Sequence, residues 1–277
     1  MPELPEVETY VRELTPALHG RQVMDAQVLW PRTIAAPTPE AFVQRISGAR
    51  FIAFERRGKY MVLGLDQGDT LIVHLRMTGH LHVHPASMAP DKHTHVVMSL
   101  DDGRRLDFQD SRKFGRLWLT RDPGLVLAHL GPEPLDAHFS MAEWQAKLAG
   151  RRAAIKALLL DQAIIAGVGN IYADEALFLA GLHPTQRGGE LTLPQLAALH
   201  ASIQAVLLAA IEKGGSSLGN SSLQNHVRPT GAPGNYQEAH RVYQRTGQPC
   251  PRCGYPIERM VIAQRSTHFC PQCQRLG

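Results

Sequence analysis

The stretch HVVMSLDDGRRLDF, residues 95–108, decides the fold of the first half of the chain. Two β-rich runs, 95–100 and 104–108, flank Asp102-Gly103, a pair typical of a hairpin turn because glycine adopts positive φ without steric cost. Similar short runs recur along this half, at 22–30, 50–55, 59–65, 71–76, 79–84 and 116–120. Regular short strands behind a single opening helix predict a β-sandwich or flattened barrel.

Beyond the strands the pattern changes from period two to helical. Gly131-Pro132-Glu133-Pro134 marks the break. Capping boxes at Ser140/Glu143 and Thr192/Gln195 predict helices, the first ending near Gly150, and further helices are predicted at 151–161 and 171–180. The helix opened by Thr192 carries an apolar stripe and is predicted to be a core helix, too amphipathic to span a membrane.

These patterns predict an α+β protein of several domains. We expect a β-sandwich domain with an N-terminal helix at 1–133, a helical domain at 134–240 and a cysteine-containing module at 241–277. Residues 214–237 are rich in Gly, Ser, Asn and Pro. A loop of that length is either a functional lid or a plain linker, and the composition leaves both open.

The first nine residues, MPELPEVET, combine a nucleophile with acids. If Met1 is removed, Pro2 presents a secondary amine, with Glu3 beside it and Glu6 one turn further along a helix. An α-amino group titrates near ~8, so part of it is unprotonated at neutral pH. Amines attack carbonyl-like carbons, and a secondary amine gives a charged iminium that withdraws electrons. The alternative is that these residues only start a helix, since proline and acids suit its first turn.

All four cysteines lie near the C-terminus, as Cys250-x-x-Cys253 and Cys270-x-x-Cys273. Two such knuckles predict a tetrahedral zinc site, structural because the four thiolates leave no open position. Disulfides are the alternative, which the lack of a secretory signal disfavours. Residues 255–269 should form a hairpin with Arg265 near its tip.

Charge is concentrated at the same end of the chain. Residues 241–277 contain six arginines and one acid, a formal +5 before metal binding, whereas the whole chain carries +4. A localised arginine patch fits a polyanionic partner. Without a secretory segment or a run of eighteen apolar residues, we expect a cytosolic protein that is a monomer and does not bind membranes.

Other fragments are ambiguous taken one at a time. Gly167-Val-Gly-Asn170 before a helix is either an anion-binding turn or an N-cap. Lys59 in Arg56-Arg-Gly-Lys59-Tyr60 binds phosphate, is a rival Schiff-base nucleophile, or lies in a solvated turn. Met77 and Phe114 each lie in a loop beside charged residues. Each is either a wedge inserted between DNA bases or a buried core residue. A histidine cluster, His80 to His95, makes a second metal site conceivable.

Together, these pieces make the chain resemble the formamidopyrimidine-DNA glycosylases, bacterial enzymes that excise 8-oxoguanine and ring-opened purines and then cut the strand. The resemblance runs from Pro2 to Gln274 and joins, in the family's order, PELPEVET, RRGKY, HLRMTGHL, DSRKFGRL, GVGNIYADEALF and the four-cysteine finger. It implies a sandwich domain, a helix-two-turns-helix domain and a zinc finger, with damaged double-stranded DNA as the partner.

The resemblance also implies residue roles. Pro2 is the expected nucleophile, Glu3 the acid that protonates the sugar ring oxygen and Glu6 a supporting carboxylate. Lys59, Asn170, Arg265 and, less securely, Tyr243 are expected at DNA phosphates. Met77, Arg112 and Phe114 are expected to fill the gap left by the extruded base. Residues 219–228 depart from the family's pattern, which leaves the preferred lesion open.

Two rival interpretations remain at this point. A sister family resembling endonuclease VIII shares the Pro-Glu start and the finger but prefers oxidised pyrimidines. PELPEVET and the Met77, Arg112 and Phe114 trio favour the purine enzymes. A zinc-ribbon protein that recognises damage without catalysis is the rival from another class, and covalent trapping on DNA would separate it from an enzyme.

Overall fold

The computed structural model describes residues 1–218 and 227–276. The chain forms two compact units, one made of Met1–Ala128 with Gly214–Asn235 and the other of His129–Lys213 with Tyr236–Gly277. The first unit thus includes a segment that follows the long helix of the second. The domain boundaries after residues 133 and 240 stay a prediction, and residues 219–226 of the 214–237 lid prediction lie outside the described part of the chain.

Unit 1 is a β-sandwich behind an N-terminal helix, α1 (Leu4–Leu18). Its strands are β1 (Val23–Val28), β2 (Ile34–Ala36), β3 (Phe51–Arg57), β4 (Tyr60–Leu65), β5 (Thr70–His74), β6 (Gly79–Pro85), β7 (Thr94–Leu100), β8 (Arg104–Asp110) and β9 (Arg116–Thr120). One sheet has the order β1-β7-β8-β6 and the other β2-β9-β5-β4-β3. The sandwich predicted from strand spacing is confirmed.

The sandwich core is aliphatic and includes one face of α1. Leu71 and Val73 of one sheet and Met98 and Phe108 of the other belong to one buried cluster with Leu14 of α1. The predicted hairpin is confirmed, because β7 pairs antiparallel with β8 and Gly103 has φ +78°. Burying these alternating apolar positions is what holds the two sheets face to face.

The expectation of a single helix in this half is wrong. A second helix, α2 (Pro39–Ile46), lies between β2 and β3, and a short one, α3 (Gly124–Leu127), follows β9. Thr38 caps α2 by accepting the N–H of Ala41 at 3.3 Å, and Pro39 occupies the first turn. Thr-Pro-Glu is a recognisable helix start, so the signal was present in the sequence.

Unit 2 is helical, with a small hairpin near its end. Its helices are α4 (Met141–Leu148), α5 (Ile155–Leu160), α6 (Asn170–Ala180) and α7 (Leu193–Glu212), and its strands are β10 (Glu258–Ile262) and β11 (Arg265–Phe269). The Thr192/Gln195 capping box is present, and Ser140 accepts the N–H of Glu143 at 3.2 Å. The predicted 151–161 helix is shorter, because Ala154 instead bridges to Arg187 as extended chain.

Helix α7 is long and apolar enough to cross a bilayer by length and composition, with mean hydropathy 1.5 over eighteen residues. By that measure, the expectation that α7 is too amphipathic to span a membrane is wrong. In the structure α7 packs on α4 and α6 with residues such as Leu199, Val206 and Leu207 buried. These contacts are those of a core helix.

Candidate active site and metal centre

The start of α1 holds two buried carboxylates beside a buried Pro2. Glu3 is the N-cap and forms a reciprocal capping box with Glu6, whose Oε2 accepts the Glu3 N–H at 2.7 Å. Glu3 and Glu6 are 3% and 1% exposed. Their backbone and side chains are therefore fixed by the helix start, and Pro2 directly precedes this frame.

A segment from far along the chain completes the frame. Oε1 of Glu6 accepts the N–H of Ser216 at 2.8 Å. The neighbouring Gly215 has φ +81°, and a Cβ there would lie 2.7 Å from Glu6 Oε1. Only glycine permits this approach, so Gly215 contacts the carboxylate in addition to belonging to the glycine pair that follows the end of α7, where the sequence predicted it.

Lys59 lies in a tight turn of unit 1. Gly58, with φ +56°, and Lys59 connect β3 to β4, whose last and first residues pair as Arg57 and Tyr60. Lys59 is 6% exposed. The expectation of a solvated turn at this lysine is wrong, since its side chain is enclosed by protein.

The loops carrying Met77 and Arg112 meet in the structure. Arg112 Nη1 lies 3.6 Å from the Met77 sulfur. Met77 is 41% exposed and Phe114 52% exposed, so the interpretation of these residues as buried core is wrong. All three predicted wedge residues lie on exposed loops of unit 1.

Asp110 holds these two loops in place. It is 1% exposed and accepts the Thr78 hydroxyl at 2.5 Å, the Arg112 N–H at 3.1 Å and the Gly115 N–H at 2.6 Å. Three donors on one carboxylate fix the loop geometry. Sequence reasoning missed Asp110 as an organiser, although its position in the DSRKFGRL run at the end of a strand was a usable signal.

Unit 2 brings Asn170 to the finger hairpin. Asn170 Nδ2 donates to the carbonyl of Ser266 at 3.0 Å, next to Arg265. Asn170 is the first residue of α6 and Gly169 is its cap, so the N-cap interpretation of Asn170 is wrong. Its Oδ1 is enclosed and has no hydrogen-bond partner among the described residues, while Arg265 is exposed after the Ala263-Gln264 turn.

Two acids in the middle of α6 tie distant segments to this helix. Asp174 accepts both the backbone N–H and the ring Nδ1 of His268, at 3.0 and 3.1 Å, and pairs with Lys156. All three residues are almost completely buried. Burial of this kind is favourable only with such dense pairing. Neither the acid nor Lys156 was singled out in the sequence, although charges inside an apolar helix were a signal.

Glu175 accepts hydrogen bonds from the backbone of the segment around Tyr243. Its carboxylate accepts the N–H groups of Arg241, Val242 and Tyr243 at 2.9 to 3.0 Å. Burial raises the pKa of Glu175, and the three N–H donors oppose that shift. The Tyr243 ring lies 5.1 Å from that of His268. Asn170, Arg265 and Tyr243 are thus grouped around α6 and β11.

The four cysteines form a cluster suited to one metal ion. Their sulfur atoms all lie within 4.8 Å of one another and none is in a disulfide. The Cys253–Cys270 and Cys250–Cys273 sulfur distances are 3.5 and 3.9 Å, close to the ~3.8 Å edge of a tetrahedron with 2.3 Å zinc–sulfur bonds. Burial raises the pKa of the Cys250 thiol, but the Arg252 and Cys253 N–H groups, together with hydrogen bonds to the Cys270 and Cys253 thiols, outweigh it and lower that pKa to about 7. The predicted metal-binding cysteines are brought together.

The histidines of β6 do not form a second cluster of this kind. His80, His82 and His84 line one strand face with ring centroids 5.6 Å apart. Within residues 1–218 and 227–276, the cysteines are the one group of three or more potential ligands close enough to share an ion. The histidine metal site is therefore not supported in the described part of the chain.

Comparison with known families agrees with this geometry. Residues 1–117 match the formamidopyrimidine-DNA glycosylase N-terminal domain, residues 130–222 its H2TH domain, and residues 247–276 a zinc finger found in FPG and IleRS. A sandwich, a helix-two-turns-helix domain and a four-cysteine finger define a DNA-repair glycosylase of the zinc-finger class.

Full-length relatives narrow the class to one family. The chain is 52% identical to a formamidopyrimidine-DNA glycosylase of Chloroflexus aggregans, covering 100% of this chain and 99% of the relative. It is 46% identical to the protein of that name from Roseiflexus sp., covering 99% of this chain and 100% of the relative. The chain belongs to the formamidopyrimidine-DNA glycosylase family.

Solved structures of this family share the fold. The MutM (FPG) protein of Thermus thermophilus has a TM-score of 0.89 at 41% identity, with both chains covered completely. A Lactococcus lactis FPG mutant in complex with a Fapy-dG containing DNA has a TM-score of 0.91 at 35% identity, covering 99% of this chain and 100% of that one. The Lactococcus lactis Fpg was also solved with an abasic site containing DNA, with a TM-score of 0.90.

Proposed function

We propose that this chain flips oxidised purines, 8-oxoguanine and formamidopyrimidines, out of duplex DNA, excises them through Pro2 and then nicks the strand. The observation that carries the proposal is the fixed frame at the start of α1. Pro2 is buried directly before Glu3 and Glu6, and both oxygens of Glu6 accept backbone N–H groups. A terminal amine in such a frame has a defined position relative to two carboxyl groups, as covalent catalysis requires.

Removal of Met1 is the first requirement of this mechanism. With Met1 attached, the Pro2 nitrogen is an amide and carries no free electron pair for attack. After removal, the secondary amine attacks the anomeric sugar carbon and gives up its proton, the carbon–nitrogen bond to the base breaks, and the base leaves with the bonding electrons and takes up a proton. Glu3 donates a proton to the ring oxygen as the ring opens, which leaves an iminium between Pro2 and the sugar carbon.

The iminium then drives strand cleavage. It withdraws electrons and so acidifies the hydrogens on the next sugar carbon. Loss of one of them expels the 3′ phosphate by β-elimination, and a second elimination expels the 5′ phosphate. These steps consume no oxidant or reductant, and water finally hydrolyses the iminium to free Pro2.

Binding and flipping would use groups in each unit. The relatives' complexes with Fapy-dG and abasic DNA support damaged DNA as the partner, and we assign its phosphates to Lys59, Asn170, Arg265 and Tyr243. Flipping costs a few kcal/mol of lost stacking and pairing. We assign Met77, Arg112 and Phe114, exposed on their loops, to fill the vacated space and offset that cost, with Arg112 contacting the orphaned cytosine.

The cysteine cluster would hold zinc as a structural ion. Four thiolates at tetrahedral spacing suit Zn²⁺ and leave no position for substrate. The ion would fix the hairpin that carries Arg265. A monomer is sufficient for this chemistry, since one chain supplies every group named.

Borohydride trapping on damaged DNA tests the proposal. Borohydride reduces the iminium to a stable amine, so the wild-type protein should become covalently attached to a duplex with 8-oxoguanine opposite cytosine. Pro2→Gly should largely abolish the cross-link, and intact mass should show that active protein lacks Met1. Loss of the cross-link only in Lys59→Ala would contradict the nucleophile assignment, and a clear preference for thymine glycol would contradict the substrate class.

A further inference from the structure

A tryptophan that belongs to none of the motifs above lies against the loop that carries Arg112 and Phe114. The ammonium nitrogen of Lys113, the residue between these two, lies 3.9 Å from the centroid of the Trp30 ring. A cation over the face of an indole is attracted by the electron-rich ring. Trp30 is half-buried whereas Lys113 is exposed, so a fixed ring orders a long side chain that would otherwise have many rotamers.

The backbone of Lys113 has an unfavourable conformation. Its φ is +61°, in the left-handed region that residues with a Cβ rarely adopt. Such a conformation persists only where the surroundings hold it. The Lys113 N–H donates to the Asp110 carbonyl at 3.3 Å, and the Lys113 carbonyl accepts Nη1 of Arg116 at 3.0 Å. Together with the Trp30 contact, these bonds hold both the backbone and the side chain of the residue that sets the direction of the chain into Phe114.

Trp30 is in turn connected to the start of the same loop through His95. The backbone N–H of Trp30 donates to the His95 carbonyl at 3.2 Å, and that of Leu29 donates to the same oxygen at 2.8 Å. His95 is 4% exposed, and its Nε2 lies 2.7 Å from the Asp110 carbonyl. Because a carbonyl only accepts, Nε2 is the donor in that bond. One buried histidine therefore fixes the Trp30 backbone relative to Asp110, at the base of the loop.

The Met77 loop has the same backbone feature. Arg76, directly before Met77, has φ +56°, and its N–H donates to Nδ1 of the buried His74 at 3.0 Å. Met77 and Phe114 thus each follow a cationic residue held in the left-handed region by its neighbours. The position of each wedge residue depends on the strained residue before it, and for Phe114 that residue is the one that contacts Trp30.

We propose that Trp30 is a positioning residue for recognition of the base opposite the lesion, because by holding Lys113 it fixes Arg112 and Phe114 on either side. This inference rests on the proposed function, in which Arg112 contacts the orphaned cytosine. Arg112 distinguishes cytosine from adenine only when its guanidinium meets the base edge in register, since hydrogen bonds weaken steeply with misalignment. A loosened loop should therefore lose discrimination between opposite bases before the chemistry at Pro2, on a separate element, is affected.

The test compares Trp30→Leu with wild type on two duplexes, with 8-oxoguanine opposite cytosine and opposite adenine, under single-turnover conditions. The ratio of the two excision rates should fall about fivefold, the equivalent of one cation–π contact. Trp30→Phe retains an aromatic face and should keep the ratio within about twofold of wild type. Arg252→Met is the matched control, because it removes another cation–π contact, to the Phe178 ring at 4.7 Å in unit 2, and it should leave the ratio unchanged.

Lys113→Met shows whether Trp30 acts through the lysine. It should lower the ratio by the same factor as Trp30→Leu, and the double variant should lower it no further, since residues acting through one contact are not additive. Multiplied effects in the double variant would mean that Trp30 acts without Lys113. Equal falls in both rates with a lowered melting temperature would mean that Trp30 only stabilises the sandwich. Either result, or an unchanged ratio in Trp30→Leu, would overturn the inference.

The wild-type protein separates failure of this inference from failure of the proposed function. Excision of 8-oxoguanine from neither duplex would refute the proposed function, and the role of Trp30 with it. Equal excision from both duplexes would leave the glycosylase chemistry standing and refute only recognition of the opposite base.

Discussion

Glu6 on α1 and Glu175 on α6 have equivalent structural roles in the two units. Each is a buried helix carboxylate that accepts backbone N–H groups from a segment far along the chain, Ser216 for Glu6 and residues 241–243 for Glu175. A buried carboxylate is costly unless it is well solvated by such donors. The two units therefore use the same device to join sequence-distant segments.

The surroundings of the two carboxylates differ. Next to Glu175, Asp174 is in a buried ion pair with Lys156, and the cysteine cluster fixes the end of the same unit. Next to Glu6 lie the chain terminus and a tyrosine hydroxyl bonded to a carbonyl. Unit 2 is thus held by a buried ion pair and has a cysteine cluster suited to a metal ion, which fits the DNA-binding role we propose for it, whereas the α1 frame leaves the terminus available for the chemistry we propose.

Removal of the metal should have the largest effect and should be confined to the functions assigned to unit 2. Metal binding supplies on the order of 10 kcal/mol to the folding of small zinc modules. Chelation, or Cys270→Ser, should release one zinc per chain, measured by mass spectrometry, and weaken duplex binding on the order of 100-fold through lost phosphate contacts.

The control for metal removal is the folded state of the sandwich. Its cooperative unfolding, followed by hydrogen exchange of β7 and β8, should be unchanged in Cys270→Ser. Undiminished DNA binding by metal-free protein would show that the finger does not contribute to DNA binding. The two units would then no longer differ in the way we propose.

Breaking the buried ion pair should have the next largest effect. Lys156→Met leaves the Asp174 carboxylate buried without its cation, and such losses cost about 3–5 kcal/mol. The free energy of unfolding from urea titration should fall by that amount. Exposed Arg187, which pairs with Glu190 while both are about 60% exposed, offers a matched control, and Arg187→Met should cost about 0.5 kcal/mol or less.

The double variant Lys156→Met with Asp174→Leu sharpens this prediction. It removes both charges and should recover part of the stability lost in the single variant, since well-packed apolar residues can replace a buried pair. Failure to recover any stability would indicate that the bonds from Asp174 to His268, and not its charge balance, hold the hairpin on α6.

Local signals explain what the sequence could predict. Short stretches of sequence were enough to predict four features that the structure confirms: the cysteine cluster, the Asp102-Gly103 turn, the Thr192 capping box and the position of Arg265 beside the hairpin tip. Helix α2 also has a local signal, Thr38-Pro39-Glu40, but strands were expected throughout this region and the helix was not predicted.

Contacts between distant segments could not be predicted in this way. Glu6 with Ser216, Tyr10 with Val227 and Asp174 with His268 are separated by 210, 217 and 94 residues. Periodicity places Tyr10 on the core face of α1 but says nothing of which carbonyl its hydroxyl meets. The contacts of Glu6, Tyr10 and Asp174 were missed because they are of this kind.

Arg265→Ala should have the smallest effect. It tests whether unit 2 only binds the DNA backbone or also recognises the damaged base. Arg265 is exposed beside the Ala263-Gln264 turn, so its loss should not change the free energy of unfolding. Losing one phosphate contact should lower the slope of log K against log salt by about one and weaken damaged and undamaged duplexes alike. The variant should keep the wild-type ratio of excision to abasic nicking, because it does not touch the α1 frame. A loss confined to one lesion would mean that the finger reads the damaged base, and the division of labour between the two units would then be wrong.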